Sequence, residues 1–266
     1  MSVYSNITII HKDGTKIQPV SLNIIGEEPL SIRIDGKPYS VVMRTPGDEI
    51  SHAAGFCLSE GIADTPEDIT ALACCDGSDS NVVTVTLTEK QRLKISGYLE
   101  RRSFISQTSC GLCGKELIQD LTTAIDPVCD DTQFQLSSAL TCLEAFSRHQ
   151  PLRQKTRSTH AALIVDADTS VLSAAEDVGR HNAVDKAIGK LFLDHNLFRA
   201  KGLVLSSRIS YELVQKAARA GIPIILAVSR PTALAVSLAS RLDMTVACLA
   251  PETGLYIFCG EQRLIG

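Results

Sequence analysis

The sequence predicts an α/β protein: a small β-rich module, then a three-layer α/β/α domain in which helices cover both faces of a mixed sheet. Three observations predict it. From residue 136 onward, short apolar runs alternate with helical patterns. Runs such as "PIILAV" and "TVACLA" are apolar almost throughout, as strands covered on both faces must be. Before about residue 95 the chain reads instead as short branched runs broken by turn residues.

Taken in order, "NITII", "VSLNII", "LSIRI" and "YSVVM" are strands, with Asp35-Gly36 signalling a hairpin between the last two. In "TPGDEISHAAGFCLSEGI" the apolar spacing becomes helical; Pro46 and Asp48 open that helix and Gly61 closes it. "NVVTVTLTE" alternates as one more strand. Residues from about 96 to 135 are polar and weakly periodic, except for a short helix-like "KELIQDL"; they read as a mobile connector within a module of residues 1–135. The domain of residues 136–266 begins with one helix over "LSSALTCLEAFSRHQ". The strands "HAALIVDA" and "SVLSAAE" follow around an Asp-rich turn, then the helix "RHNAVDKAIGKLFLDH". "GLVLSS", "PIILAV", "TVACLA" and "LYIFCG" are strands, and "SYELVQKAARAG" and "PTALAVSLASRL" are helices between them. Strand–helix–strand crossovers here are expected to be right-handed. No internal repeat is visible.

Composition narrows the function classes. The 266 residues suffice for one large domain or two modest ones. Apolar residues make up 44% and Trp is absent, so the core must be aliphatic. A net charge of −4 argues against a nucleic-acid binder. The first residues lack a basic stretch followed by an apolar run, so no signal peptide is read. The longest apolar run, near "GIPIILAV", is far short of the ~20 residues a membrane span needs. The expected location is the cytoplasm. There most of the nine cysteines should be free and buried; Cys57, Cys142, Cys248 and Cys259 sit in apolar runs as core thiols.

Two constellations carry chemistry. The first is "SQTSCGLCGKEL", which places Cys110 and Cys113 among glycines. A structural zinc site needs four ligands, and nothing downstream completes one. The zinc deaminase signature is also missing: no His is followed two positions later by Glu, and Ser109 precedes Cys110. A dithiol–disulfide pair, an incidental pair in a linker and a sulfur handle remain. Arg101, Arg102, Lys115 and the start of the "KELIQDL" helix all favour a thiolate, which is what a sulfur handle requires.

The second constellation is polar. Three strands end in "EDVGRHN", "SSRIS" and "SRPT" where helices begin. In a parallel sheet such ends share one edge, where ligands bind. Arg180, Arg208 and Arg230 give each junction a guanidinium, and helix N-termini suit anions. His181 and Asp185 are four apart, so Asp185 is placed to orient the imidazole. Ser210 and Thr232 read equally well as helix caps. No Walker motif or Gly-x-Gly-x-x-Gly is present, so any nucleotide pocket is non-standard.

Four blocks in order, "TPGDEISHAAGFCLSEGI", "SCGLCGK", "EDVGRHNAVDKAIG" and "GLVLSSRISYELVQKAARAGIPIILAVSRPTALAVSLA", resemble the formate dehydrogenase accessory sulfurtransferase family over residues 40 to 250. The resemblance implies a cytidine deaminase-like α/β domain without zinc chemistry or any tightly bound metal. It implies a homodimer that takes sulfur from a cysteine desulfurase as a persulfide. That sulfur passes to a molybdenum (or tungsten) bis-pterin guanine dinucleotide, Mo-bis(molybdopterin guanine dinucleotide), for formate dehydrogenase. Cys110 then carries the persulfide with Cys113 as partner. Guanine-dinucleotide binding maps to Arg180, His181, Asn182, Ser206, Ser207, Arg208, Ser229, Arg230 and Thr232. It also maps to the C-terminal run Gly254, Leu255, Tyr256, Ile257, Phe258 and Cys259, where the family pattern resembles Arg-Phe-Asn-x-Tyr and this chain departs from it with "GLYIF", lacking the Arg and the Asn. The alternative function is a non-catalytic chaperone that binds the same cofactor. Neither nucleic acid nor membrane is an expected partner.

Overall fold

A computed structural model describes residues 2–74, 81–102 and 125–266, with no account of side chains over 97–102. The first described elements are an antiparallel hairpin, β1 (Tyr4–Asp13) and β2 (Lys16–Ile25), that joins no other strand among the described residues. β3 (Glu28–Ile34) and β4 (Lys37–Arg44) form a second hairpin. Its turn is Asp35-Gly36, both at positive φ (49° and 78°), as a type I′ turn requires.

α1 (Glu49–Ser59) follows. The sequence expected Asp48 to start it, and it does precede the helix, but its side chain caps nothing. Its carboxylate instead pairs with Lys190, 2.8 Å away. β5 (Ile69–Cys74) and β6 (Val82–Leu87) complete a four-stranded sheet in the order β4-β3-β6-β5. α2 (Glu89–Arg102) then runs into the stretch expected to be connector from about residue 96. Most of its residues are good helix formers, but among its described side chains only Gln91 and Ile95 are buried, so its apolar stripe is too thin to read.

The later part is built on a six-stranded sheet. β7 (Phe134–Gln135) precedes α3 (Leu136–Ala145). The single helix expected up to Gln150 is split: α3 gives way to a 3-10 turn, and Pro151 opens a new helix, α4 (Pro151–Thr156). Next come β8 (His160–Val165), β9 (Val171–Asp177), α5 (Arg180–Leu193), β10 (Gly202–Leu205), α6 (Tyr211–Arg219), β11 (Ile224–Ala227), α7 (Ala233–Arg241), β12 (Thr245–Leu249) and β13 (Leu255–Cys259). A last short strand, β14 (Leu264–Ile265), pairs with β7. The sheet order is β13-β12-β11-β10-β8-β9. β10, β11 and β12 run parallel, β8 is antiparallel to both β10 and β9, and β13 is antiparallel to β12.

Alternate residues of β8 explain the layers. Ala162 and Ile164 enter a core with Val184, Ile188, Leu213 and Leu238 from α5, α6 and α7. Ala161, Leu163 and Val165 enter a second core with Ala139, Cys142, Leu143 and Phe146 on the α3 side. The mixed sheet is thus covered on both faces. The first core also takes in Leu30, Ile32, Phe56, Val83 and Val85, so one apolar mass runs through both halves of the chain.

The halves meet where α1 crosses α5. A Cβ on Gly55 would lie 1.9 Å from the Asp185 carbonyl oxygen, and one on Gly189 would lie 1.7 Å from the Ser51 carbonyl oxygen. Around this crossing is a buried polar lattice. Lys186 Nζ reaches the Thr45 carbonyl (2.7 Å) and Asp177 (2.8 Å). Lys216 Nζ donates to both Asp185 oxygens at 2.8 Å, and the Ser59 hydroxyl donates to Asp185 at 2.8 Å. His52 on α1 is wholly buried beside them, and burial, reinforced by the Lys186, Lys216 and Arg44 charges, holds its imidazole well below 6.5.

Two outcomes follow. Gly189→Ala forces backbone apart and should cost about 3 kcal/mol or more, read as a Tm drop on the order of 10 °C by circular dichroism. An unchanged Tm would disprove the close approach. For His52, the unfolded ring binds protons below about 6.5 while the folded one does not, so stability falls as pH drops. The slope should approach about 1.4 kcal/mol per pH unit between pH 6 and 5, and His52→Phe should remove that component in urea titrations.

Candidate functional site

Because β8 is antiparallel to both of its neighbours, β9 and β10 run parallel to each other. The carboxyl ends of β9, β10, β11 and β12 therefore share one edge of the sheet, together with the amino ends of β8 and β13. The junctions Asp177–Arg180, Ser206–Ser210 and Val228–Thr232 lie along it. Thr232 donates its N–H to the Ile209 carbonyl at 3.0 Å, which ties two of these loops together.

At the β9 end, Arg180 is the first residue of α5, half-buried, with its Nε buried and without a hydrogen-bond partner. His160 lies at the amino end of β8, opposite Asp177. Its Nδ1 is 3.5 Å from the Ser206 hydroxyl. That hydroxyl oxygen accepts the Ala161 N–H at 2.9 Å. Partial burial, then the Arg180, Arg153 and His181 charges, lower the His160 pKa below its ordinary range. His160 was missed in the sequence because only strand ends preceding helices were considered. An antiparallel strand brings its start to the same edge, and the His before "AALIV" was the available signal.

His181 does not pair with Asp185, contrary to expectation. Asp185 turns into the α1 crossing, where Lys216 and Ser59 hold it. The His181 Nε2 sits 3.4 Å from the Ser210 hydroxyl and 3.6 Å from Glu212 Oε2. Ser210 donates to Glu212 at 2.8 Å. His181 and Ser210 together outweigh partial burial and hold the Glu212 carboxyl down to about 2. Ser210 therefore caps α6 by position only, whereas the Thr232 hydroxyl accepts the Ala235 N–H and is a true cap of α7. Asn182 lies beneath the edge, its amide donating to the Met43 carbonyl (2.7 Å) and to Asp177 (2.9 Å). Ser207 is buried with its hydroxyl on the Arg208 carbonyl, while Arg208 is exposed. Ser229 is half-buried.

At the other end, Arg230 lies 5.6 Å from the centre of the Tyr256 ring. Arg230, Leu255, Tyr256, Ile257 and Phe258 line an open groove of about 560 Å³. Gly254, at φ 82°, turns the chain into β13. Cys259 is only half-buried, and Cys74 and Cys129 are exposed, so the expectation of mostly buried thiols holds for Cys57, Cys142 and Cys248 alone among the described cysteines. Cys110 and Cys113 lie outside the described residues, as does "KELIQDL". Among the described residues, no three His, Cys, Asp or Glu side chains group as metal ligands, and no helix is long and apolar enough to cross a membrane.

Fold and edge together define an α/β protein with a long polar sheet edge bearing arginines and histidines. The model of the FdhD/NarQ family matches residues 25–265, and the chain belongs to that family. The sulfur carrier protein FdhD of Streptomyces coelicolor is 36% identical over 91% of this chain and 88% of its own length. That of Mycolicibacterium paratuberculosis is 35% identical over 99% of this chain and 100% of its own. Among solved structures, one described as a formate dehydrogenase accessory protein from Desulfotalea psychrophila aligns with TM-score 0.79, covering 99% of this chain and all of that one. At 20% identity this likeness speaks for the fold.

Thr232→Ala should cost about 1 kcal/mol through the lost α7 cap, whereas Ser210→Ala should cost clearly less at the same pH. Paired urea titrations check this ordering.

Proposed function

We propose that this protein is a sulfur carrier for formate dehydrogenase. It takes sulfur from a cysteine desulfurase on Cys110 and delivers it to Mo-bis(molybdopterin guanine dinucleotide), bound as acceptor substrate along the sheet edge. The observation that carries the reading is that edge: Arg180 with an unpartnered buried Nε at one end, the Arg230–Tyr256 groove at the other. Five strand spacings separate β9 from β13, roughly 24 Å. An elongated ligand with several phosphates suits that span, and guanidiniums suit phosphates.

The chemistry balances without an outside oxidant in the first step. The Cys110 thiolate attacks the outer sulfur of the desulfurase persulfide, and the desulfurase cysteine leaves as thiolate. Cys113 can then attack Cys110 within the persulfide, expelling sulfide to the acceptor and leaving a Cys110–Cys113 disulfide that a cellular thiol reduces. The relatives' names support the sulfur-carrier role. The cytidine deaminase-like character of the domain, a cytoplasmic location and a homodimer belong to the same reading.

Intact-protein mass spectrometry after incubation with a cysteine desulfurase and cysteine should show the gain of one sulfur in the wild type and none in Cys110→Ala. No gain in the wild type would sink the proposal. Full activation of formate dehydrogenase by Cys110→Ala would favour the cofactor chaperone instead. Arg180→Ala and Arg208→Ala should each weaken GDP binding about tenfold or more by calorimetry, since a charge-assisted hydrogen bond contributes about 1.5–3 kcal/mol. Unchanged affinity would remove the edge as the acceptor site.

A further inference from the structure

The β1–β2 hairpin stands apart from everything above. Among the described residues it pairs with no third strand, and residues 4–24 precede the matched family region, which begins at residue 25. Directly opposed residues share a face. The pairs Ile7/Leu22 and Ile9/Val20, with Ile24 beside them, make one face aliphatic. Ile7, Leu22 and Ile24 are 43%, 45% and 40% exposed. The other face carries Ile10 opposite Pro19, and Ile17, with Ile10 and Ile17 66% and 63% exposed. The hairpin is held where Gly26 donates to the Val3 carbonyl (2.8 Å) and by α4, which packs against β2 and sets Lys155 over the Tyr4 ring. A lone two-stranded ribbon is marginal in water, and one that also leaves isoleucines uncovered needs a surface to lie against.

We propose that this hairpin is a dimerisation arm that lies, reciprocally, on a second copy of the chain; this deepens the homodimer reading and rests on it. Area decides the mode. One hairpin face covers roughly 330 Å², from strands about 33 Å long and two strand widths across. Simple face-to-face stacking of two hairpins falls below the ~800 Å² per partner of a stable interface. An arm covered on both faces, exchanged in both directions, removes roughly 1,300 Å² per partner, which meets it. Ile10 and Ile17 on the second face, set beside Asn6, Thr8, Ser21 and Asn23, leave exposed aliphatic surface that stacking on the first face alone would not cover. Charge favours the same occupant. Residues 4–25 hold Lys12 and Lys16 against Asp13, a net of +1, so a chain of net −4 carries −5 over its remaining residues. Asp13 also faces Lys16 across the hairpin, so the arm presents no unbalanced pair at its tip. Pro19 lacks an N–H and interrupts the outer edge of β2, which points to recognition through side-chain faces instead of strand addition along it.

Light scattering after size exclusion on the full chain tests it. The wild type should read twice the 28.6 kDa of one chain. Ile7→Glu/Leu22→Glu and, separately, Ile10→Glu/Ile17→Glu should read 28.6 kDa with melting curves of folded protein, because the altered positions lie outside both cores. Double mass in both variants would overturn the arm while leaving the dimer. A wild type at 28.6 kDa would overturn both. Sulfur uptake by Cys110, read separately by mass, keeps the carrier proposal independent of either result.

Discussion

The contact between the α1 and α5 backbones is the constraint on which the rest depends. Glycines at 55 and 189 let the two helices approach until each would-be Cβ overlaps a carbonyl of the other. At that distance, side chains flanking the contact must mesh or be buried without partners. The lattice around it shows how they mesh. Asp185 receives Lys216 and Ser59, and Asp177 receives Lys186, the Thr45 N–H (3.0 Å) and the Gly179 N–H (2.8 Å). Buried ion pairs contribute little net stability unless every remaining donor and acceptor is also met. For Asp185, burial still raises the carboxyl pKa despite its lysine, so desolvation is the larger force there. The lattice therefore contributes registry more than stability: few other placements of the N-terminal half would satisfy these charges together.

That registry reaches the functional edge directly. Asp177 closes β9, and its two oxygens fix the Gly179 amide, the Asn182 amide and Thr45. Arg180 follows immediately. The loop that presents Arg180 and His181 is therefore held from below by the N-terminal half. On the next junction, wholly buried Ile209 anchors the loop so that Ser210 and Glu212 meet His181. Charge at this end of the edge is mixed: the Arg180, Arg153 and His181 charges bear on His160, while His181 faces the Glu212 carboxylate, whose pKa is held near 2.

Much of the fold was legible because it follows from local chemistry. Asp35-Gly36 predicts its turn from backbone sterics alone. The near-continuous apolar runs of the later strands predict a sheet covered on both sides, and β8 divides its residues between two cores accordingly. The readings that failed depended on what lies across the fold. Spacing alone placed Asp185 beside His181, and only the fold reveals a lysine on another helix that takes it. Asp48 was a reasonable cap until Lys190 became its neighbour. α2 was not read as a helix, because among its described side chains only Gln91 and Ile95 are buried, which leaves almost no periodic signal. Arg180, Arg208 and Arg230 fall on one edge as the strand ends predicted, yet Asn182 is buried beneath it, which no pattern of polar residues distinguishes.

The reversal of β8 has a further consequence for what the edge can hold. In a wholly parallel sheet every strand contributes its carboxyl end, and ligand contacts come from loops that start helices. Here β8 and β13 contribute their amino ends, placing His160 between two arginine-bearing junctions and setting Tyr256 against Arg230. The edge thus has two distinct ends, an imidazole–guanidinium cluster by β9 and an aromatic–guanidinium groove by β13. A compact anion would occupy one and leave the other to water. A ligand with phosphates in its middle and planar groups toward its ends would use both, and its length, set by about five strand spacings, is the property this sheet edge selects most directly.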